Sequence, residues 1–222
     1  MLASIAGTLK GDYVREGPDD PWADSPFGWI RARPSRQVGK IGEQLVAGWC
    51  AAKGLDVTSS GDSEADRVIA GRRVEIKFST LWESGVYKFQ QIRDQDYEYA
   101  VCLGVSPFDA HCWVISKAVL RQHVIGHTPQ HTGKGGTDTF WLSFEAASPP
   151  AWLAACGGRL AEAYGIMRKW QAKRKAFALR LWRKWAVCPR WVIQSVQSLL
   201  GATRSYEHGS DGERCDWQNP PR

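Results

Sequence analysis

Two carboxylates and an ammonium lie close together in the stretch from Glu64 to Phe78. Val68 and Ile69, then Val74, Ile76 and Phe78, predict two strands joined by a tight turn at Ala70-Gly71-Arg72. Strand side chains alternate between faces, so Glu75 and Lys77 point one way and Ile76 the other. Pairing across the hairpin brings Asp66 beside them. Mg2+ prefers oxygen ligands in octahedral geometry and takes one or two carboxylates, with water and phosphate filling the other positions. Asp66 and Glu75 would supply the carboxylates, and the backbone carbonyl of Ile76 a third oxygen. A metal held there acidifies a bound water and neutralises a phosphate under attack. Lys77 beside it would orient that water or stabilise charge at phosphorus. The residue types therefore suit a divalent-metal phosphodiesterase, with Mg2+ as the expected ion and Mn2+ as an alternative. A bare Glu-x-Lys is common by chance, so its weight depends on the elements around it.

Those elements are legible. In Gly39–Gly54, Ile41, Leu45, Trp49 and Ala52 recur at helical spacing, and Gly54 is placed to cap the helix C-terminus. Glu43 projects from the first turn, off the apolar stripe. Leu55-Asp56-Val57 begins an extended segment. The order helix, strand, strand with Asp66, strand with Glu75-Ile76-Lys77 resembles the core of the PD-(D/E)XK nuclease superfamily, over roughly residues 38–116. Ala65 stands where that motif has its proline. The resemblance implies a restriction-endonuclease-like α/β fold, a central mixed sheet flanked by helices. It implies catalytic roles for Asp66, Glu75 and Lys77, with Glu43 binding metal directly or through water.

Downstream, Tyr87–Gln95 is predicted as a helix presenting Gln90, Gln91 and Arg93 to a phosphate or base edge. Tyr99–Val105 and Cys112–Ile115 are predicted strands, and Thr139–Phe144 a final one. Arg31, Arg33 and Arg36 precede the first helix and suit phosphate contacts; exposed arginines on an arm are an equal reading. His123, His127 and His131 fall four apart, but Pro129 and the glycines after Thr132 oppose one helix carrying all three. A zinc site there is disfavoured, and a loop touching DNA through Gln130, His131 and Lys134 is preferred.

Residues 1–36, rich in Pro, Gly and Asp, are expected to form an irregular arm, and 37–148 the nuclease domain. Residues 149–201 are expected to be a basic helical extension and 202–222 a disordered tail. Residues 1–156 carry 16 basic and 18 acidic side chains, whereas 157–222 carry 13 and 5, so the positive charge is concentrated after the catalytic region. Ile166, Trp170, Phe177, Leu181 and Trp185 give that segment a helical apolar stripe. It would lie along DNA or pack on the core; a membrane surface suits it less well. The six cysteines show no regular spacing, no secretory signal is visible, and no apolar run is long enough to span a bilayer. A reduced, cytoplasmic setting is expected, with DNA as partner and no small-molecule ligand. A homodimer would supply the two sites a double-strand cut needs. The leading expectation is a DNA endonuclease, restriction-like or phage-borne. The rivals are a Holliday-junction resolvase, a recombination or transposition nuclease, and a non-catalytic nucleic-acid-binding module with a vestigial site.

Overall fold

The structure is a computed structural model that describes residues 20–130 and 138–185. A single helical turn, α1 (Gly28–Arg31), precedes the 18-residue helix α2 (Ser35–Ala52). Gly54 closes α2 with a left-handed φ of 75°. Leu55 N–H donates to the Cys50 carbonyl at 3.0 Å and Gly54 N–H to that of Ala51 at 2.9 Å. A residue without Cβ accepts this double closure at little cost.

The strands among the described residues are β1 (Val57–Ser59), β2 (Arg67–Ile69), β3 (Arg72–Thr80), β4 (Val86–Ile92), β5 (Tyr99–Val105), β6 (Ala110–Ser116), β7 (Phe140–Glu145) and β8 (Gly157–Arg159). Helix α3 (Lys117–His123) follows β6, a 3-10 turn (Ala151–Cys156) precedes β8, and α4 (Leu160–Trp185) comes last. Strands β1, β2, β3, β5, β6 and β8 form one sheet in that order, while β4 and β7 form a separate two-stranded ribbon. The β3–β5 pairing is parallel; its neighbours are antiparallel. The result is a mixed sheet flanked by helices.

Both faces of the sheet are covered, which is why β5 is apolar along nearly its whole length. Val101 and Leu103 face a core shared with Val46, Cys50, Ile76 and Met167. Ala100 and Cys102 face the opposite core, with Tyr87, Phe89, Trp113 and Leu142. The buried stripe of α2 is Gly42, Val46 and Cys50. Leu45 and Trp49 lie at its margin. On α4, Ala163, Met167 and Trp170 enter the first core. The described residues up to Arg174 belong to one compact unit, and those from Lys175 to a second.

The structure corrects two expectations. Tyr87–Gln95 is not a helix: Val86–Ile92 is a strand paired antiparallel with β7. Tyr87 and Phe89 alternate with Lys88, and that period of two, completed by a partner strand, outweighs the helical reading. Phe140–Glu145 is not the last strand, because Gly157–Arg159 adds an edge to the sheet. Helix α3 ends at His123, whose ring stacks on Trp152 at 4.6 Å, so His123 and His127 do not share a helix face. Cys102 and Cys112 are wholly buried in the core. Among the described residues, no helix is long and apolar enough to cross a membrane.

Candidate active site

A two-residue turn creates the site's central hairpin. Ala70 and Gly71 have φ of 50° and 80°, the left-handed pair that matches strand twist in tight hairpins. The register pairs Arg67 with Val74, so Asp66, one step further, falls opposite Glu75. Asp66 is held on both sides. Its N–H donates to the Val74 carbonyl at 3.0 Å, and its Oδ2 accepts from Ile76 N–H at 2.7 Å. Lys77 Nζ lies 2.6 Å from Glu75 Oε1. Glu75 and Lys77 stand on the face of β3 that borders Ala100 and Cys102, their partners on β5. These small side chains leave room for the charged ones.

The electrostatics of the pair are strained. Burial pushes the Asp66 carboxyl above the usual carboxylate range; its bond from Ile76 N–H opposes this, and the negative charge of Glu43 adds to it. Burial also raises Glu75, offset by Lys77 and reinforced by the neighbouring Asp66 carboxyl. Glu75 is only 7% exposed. Two neighbouring carboxylates and a single ammonium favour an additional cation or a shared proton. This donor set fits a hard divalent ion held by Asp66, Glu75 and the Ile76 carbonyl. Among the described residues, no group of three or more His, Cys, Asp or Glu is arranged to hold a metal; Mg2+ with one or two carboxylates needs no such group.

Glu43 reaches the same region because α2 lies very close to β3. A Cβ on Gly42 would stand 2.3 Å from Phe78 Cβ, so only glycine permits the approach. Glu43 Oε2 accepts from Lys40 Nζ at 2.8 Å and lies 3.6 Å from Arg67. It is thus engaged by two cations while its charge still acts on Asp66.

Asp66, Ile76, Lys77 and Glu43 line a cleft of about 1510 Å³. Arg31, Arg33 and Arg36 line it too, as do Gln90 and Gln91 of β4. Gln130 adjoins them, its Oε1 accepting from Gln91 N–H at 2.9 Å. Arg93 is exposed but does not line the cleft. His131 and Lys134 lie outside the described residues, as do residues 1–19, the whole tail and the side chains of Leu181 and Trp185. The sequence reading missed Lys40, Lys88 and Trp82, which also line the cleft. Lys88 Nζ sits 3.8 Å from the centre of the half-exposed Trp82 ring. Two residues six apart around a turn carry no local signal of that contact.

No protein-family model matches the chain, and no curated protein matches it. Among solved structures, it is similar to a bacterial homing endonuclease at 18% identity and a TM-score of 0.42, over 65% of this chain and 99% of the other. That likeness carries no part of the functional reading, which rests on the site.

Proposed function

We propose that the chain is a Mg2+-dependent DNA endonuclease of the PD-(D/E)XK type, restriction-like or phage-borne, with Asp66, Glu75 and Lys77 as catalytic residues. The observation that carries this is the meeting of Asp66, Glu75 and Lys77 around one hairpin, with Asp66 and Lys77 opening on a cleft also lined by Arg31, Arg33 and Arg36. In the reaction, a water oxygen bonds to phosphorus and the bond from phosphorus to one sugar oxygen breaks. That oxygen takes up a proton as the water loses one. A Mg2+ or Mn2+ ion held by Asp66, Glu75 and the Ile76 carbonyl would acidify the water and neutralise phosphate charge. Lys77, ion-paired with Glu75, orients the water and screens the charge gathering on the phosphate oxygens. Arg31, Arg33 and Arg36 hold flanking phosphates, and Glu43 tunes Asp66 through its charge.

Plasmid and linear duplex DNA incubated with Mg2+ test this reading. Cleavage by the wild type, lost in folded Asp66→Ala, Glu75→Ala and Lys77→Ala variants, is the expected result. Wild-type-like cutting by folded Glu75→Ala sinks the assignment. Cutting confined to four-way junctions would move it to a resolvase, and DNA binding with intact DNA to a vestigial module.

A further inference from the structure

Strand β4 contains an irregularity that the catalytic residues do not explain. Phe89 pairs with Leu142 and Ile92 with Phe140, so β4 holds one residue more than β7 between these pairs. Phe89 and Ile92 are both fully buried, and Gln90 and Gln91 between them are both exposed. A regular strand would turn one of the two glutamines inward. The bulge instead turns both outward, and both line the cleft that holds Asp66 and Lys77. Gln91 carries a φ of 56°, a left-handed conformation that a glutamine rarely adopts. Its N–H is fixed by the Gln130 side chain, 39 residues away. Glycine would fit that backbone with less strain, yet a long amide stands there. Strained backbone held by distant partners is a mark of functional geometry, and bulges commonly re-aim side chains beside active sites.

We propose that the Gln90–Gln91 bulge is a base-reading element that selects A·T pairs near the scissile phosphate, with Gln130 as its positioning residue. This rests on the nuclease reading above. A glutamine amide matches the adenine edge in the major groove: Oε1 accepts from N6–H and Nε2 donates to N7. Fixing the backbone of the bulge limits the freedom the two amides lose on binding, and reduced ordering cost favours recognition.

The test is cleavage of a random-sequence duplex pool with Mg2+, followed by sequencing of the cut ends. The wild type is expected to enrich A·T pairs at one or two fixed offsets from the cut. Gln90→Ala and Gln91→Gly are each expected to lower that enrichment about tenfold at one offset, the discrimination a bidentate pair supplies. Gln91→Gly relaxes the backbone, so its effect does not reflect misfolding. Gln90→Arg should shift the preference toward G·C, because a guanidinium matches guanine O6 and N7. Gln130→Ala should blur the same offsets, because it frees the Gln91 N–H. Cut ends without base bias, or bias unchanged in all four variants, overturn the inference and leave the nuclease reading standing. A wild type that cuts nothing overturns the nuclease reading itself.

Discussion

At Asp66 the electrostatic cost of the site is concentrated: a half-buried carboxylate beside Glu75, within the field of Glu43, and supported by one backbone N–H. Because burial and like charge raise its pKa, its contribution to stability is present at acid pH and is lost as pH rises through the folded-state value. Asp66→Asn keeps an oxygen for Ile76 N–H and removes the charge. We expect this variant to lose cleavage yet melt higher than the wild type at neutral pH without metal, by roughly 2–4 °C, the response of a domain this size to about 1 kcal/mol. The gap should shrink as pH falls and the wild-type carboxyl takes up a proton. Millimolar Mg2+ should raise the wild-type melting temperature and leave Asp66→Asn unmoved, a readout of metal binding that needs no turnover. Lys77→Met should destabilise, by up to about 3 kcal/mol at pH 8, since it strips the buried Glu75 of its counter-ion. Denaturant melts should show a smaller loss at acid pH, as Glu75 takes a proton instead.

Between elements, the controlling feature is the close approach of α2 to β3. Gly42→Ala forces a Cβ into Phe78; overpacking of this kind costs about 1–3 kcal/mol. It should also move Glu43 away from Asp66 and lower activity. On the same helix, a Cβ added at Gly48 would meet nothing within 4 Å, so Gly48→Ala should stabilise by about 0.5–1 kcal/mol. Opposite shifts in the two variants, read in thermal melts, tie the first effect to packing rather than helix propensity. The ribbon of β4 and β7 shows the limit of local reading. Tyr87, Phe89 and Ile92 are plain in the sequence as apolar residues, but their periodicity is broken by the bulge at Gln90 and Gln91. Only β7, some fifty residues later in the chain, decides that they form a strand.

For the whole molecule, charge and fold divide differently along the chain. The cleft carries Arg31, Arg33, Arg36, Lys40, Lys77 and Lys88 against Glu43, Asp66 and Glu83, although residues 1–156 are slightly acidic as a whole. Duplex binding by Asp66→Asn should therefore weaken steeply with salt, and Arg33→Ala or Arg36→Ala should each reduce the log–log slope by about 0.9 in a fluorescence titration. The first part of the basic C-terminal segment packs into the fold. Ala163, Met167 and Trp170 belong to the core, and Arg174 pairs with Asp56. Truncation after Ser148 should abolish cooperative unfolding measured by circular dichroism, because it opens the core rather than removing an appendage.

Local chemistry determined much from sequence alone. The tight turn at Ala70-Gly71, the glycine closing α2, the alternation of Glu75 and Lys77 against Ile76, and the buried run of β5 all follow from backbone preferences and side-chain periodicity over a few residues. Tertiary structure decided the rest. The proximity of Glu43 to Asp66 depends on Gly42 meeting Phe78, the bulge depends on β7 and Gln130, and the cleft gathers arginines from α1 and the start of α2 beside glutamines from β4. Each of these is a contact between residues distant in sequence, and its energy comes from excluding water and matching shapes across elements that no local window contains.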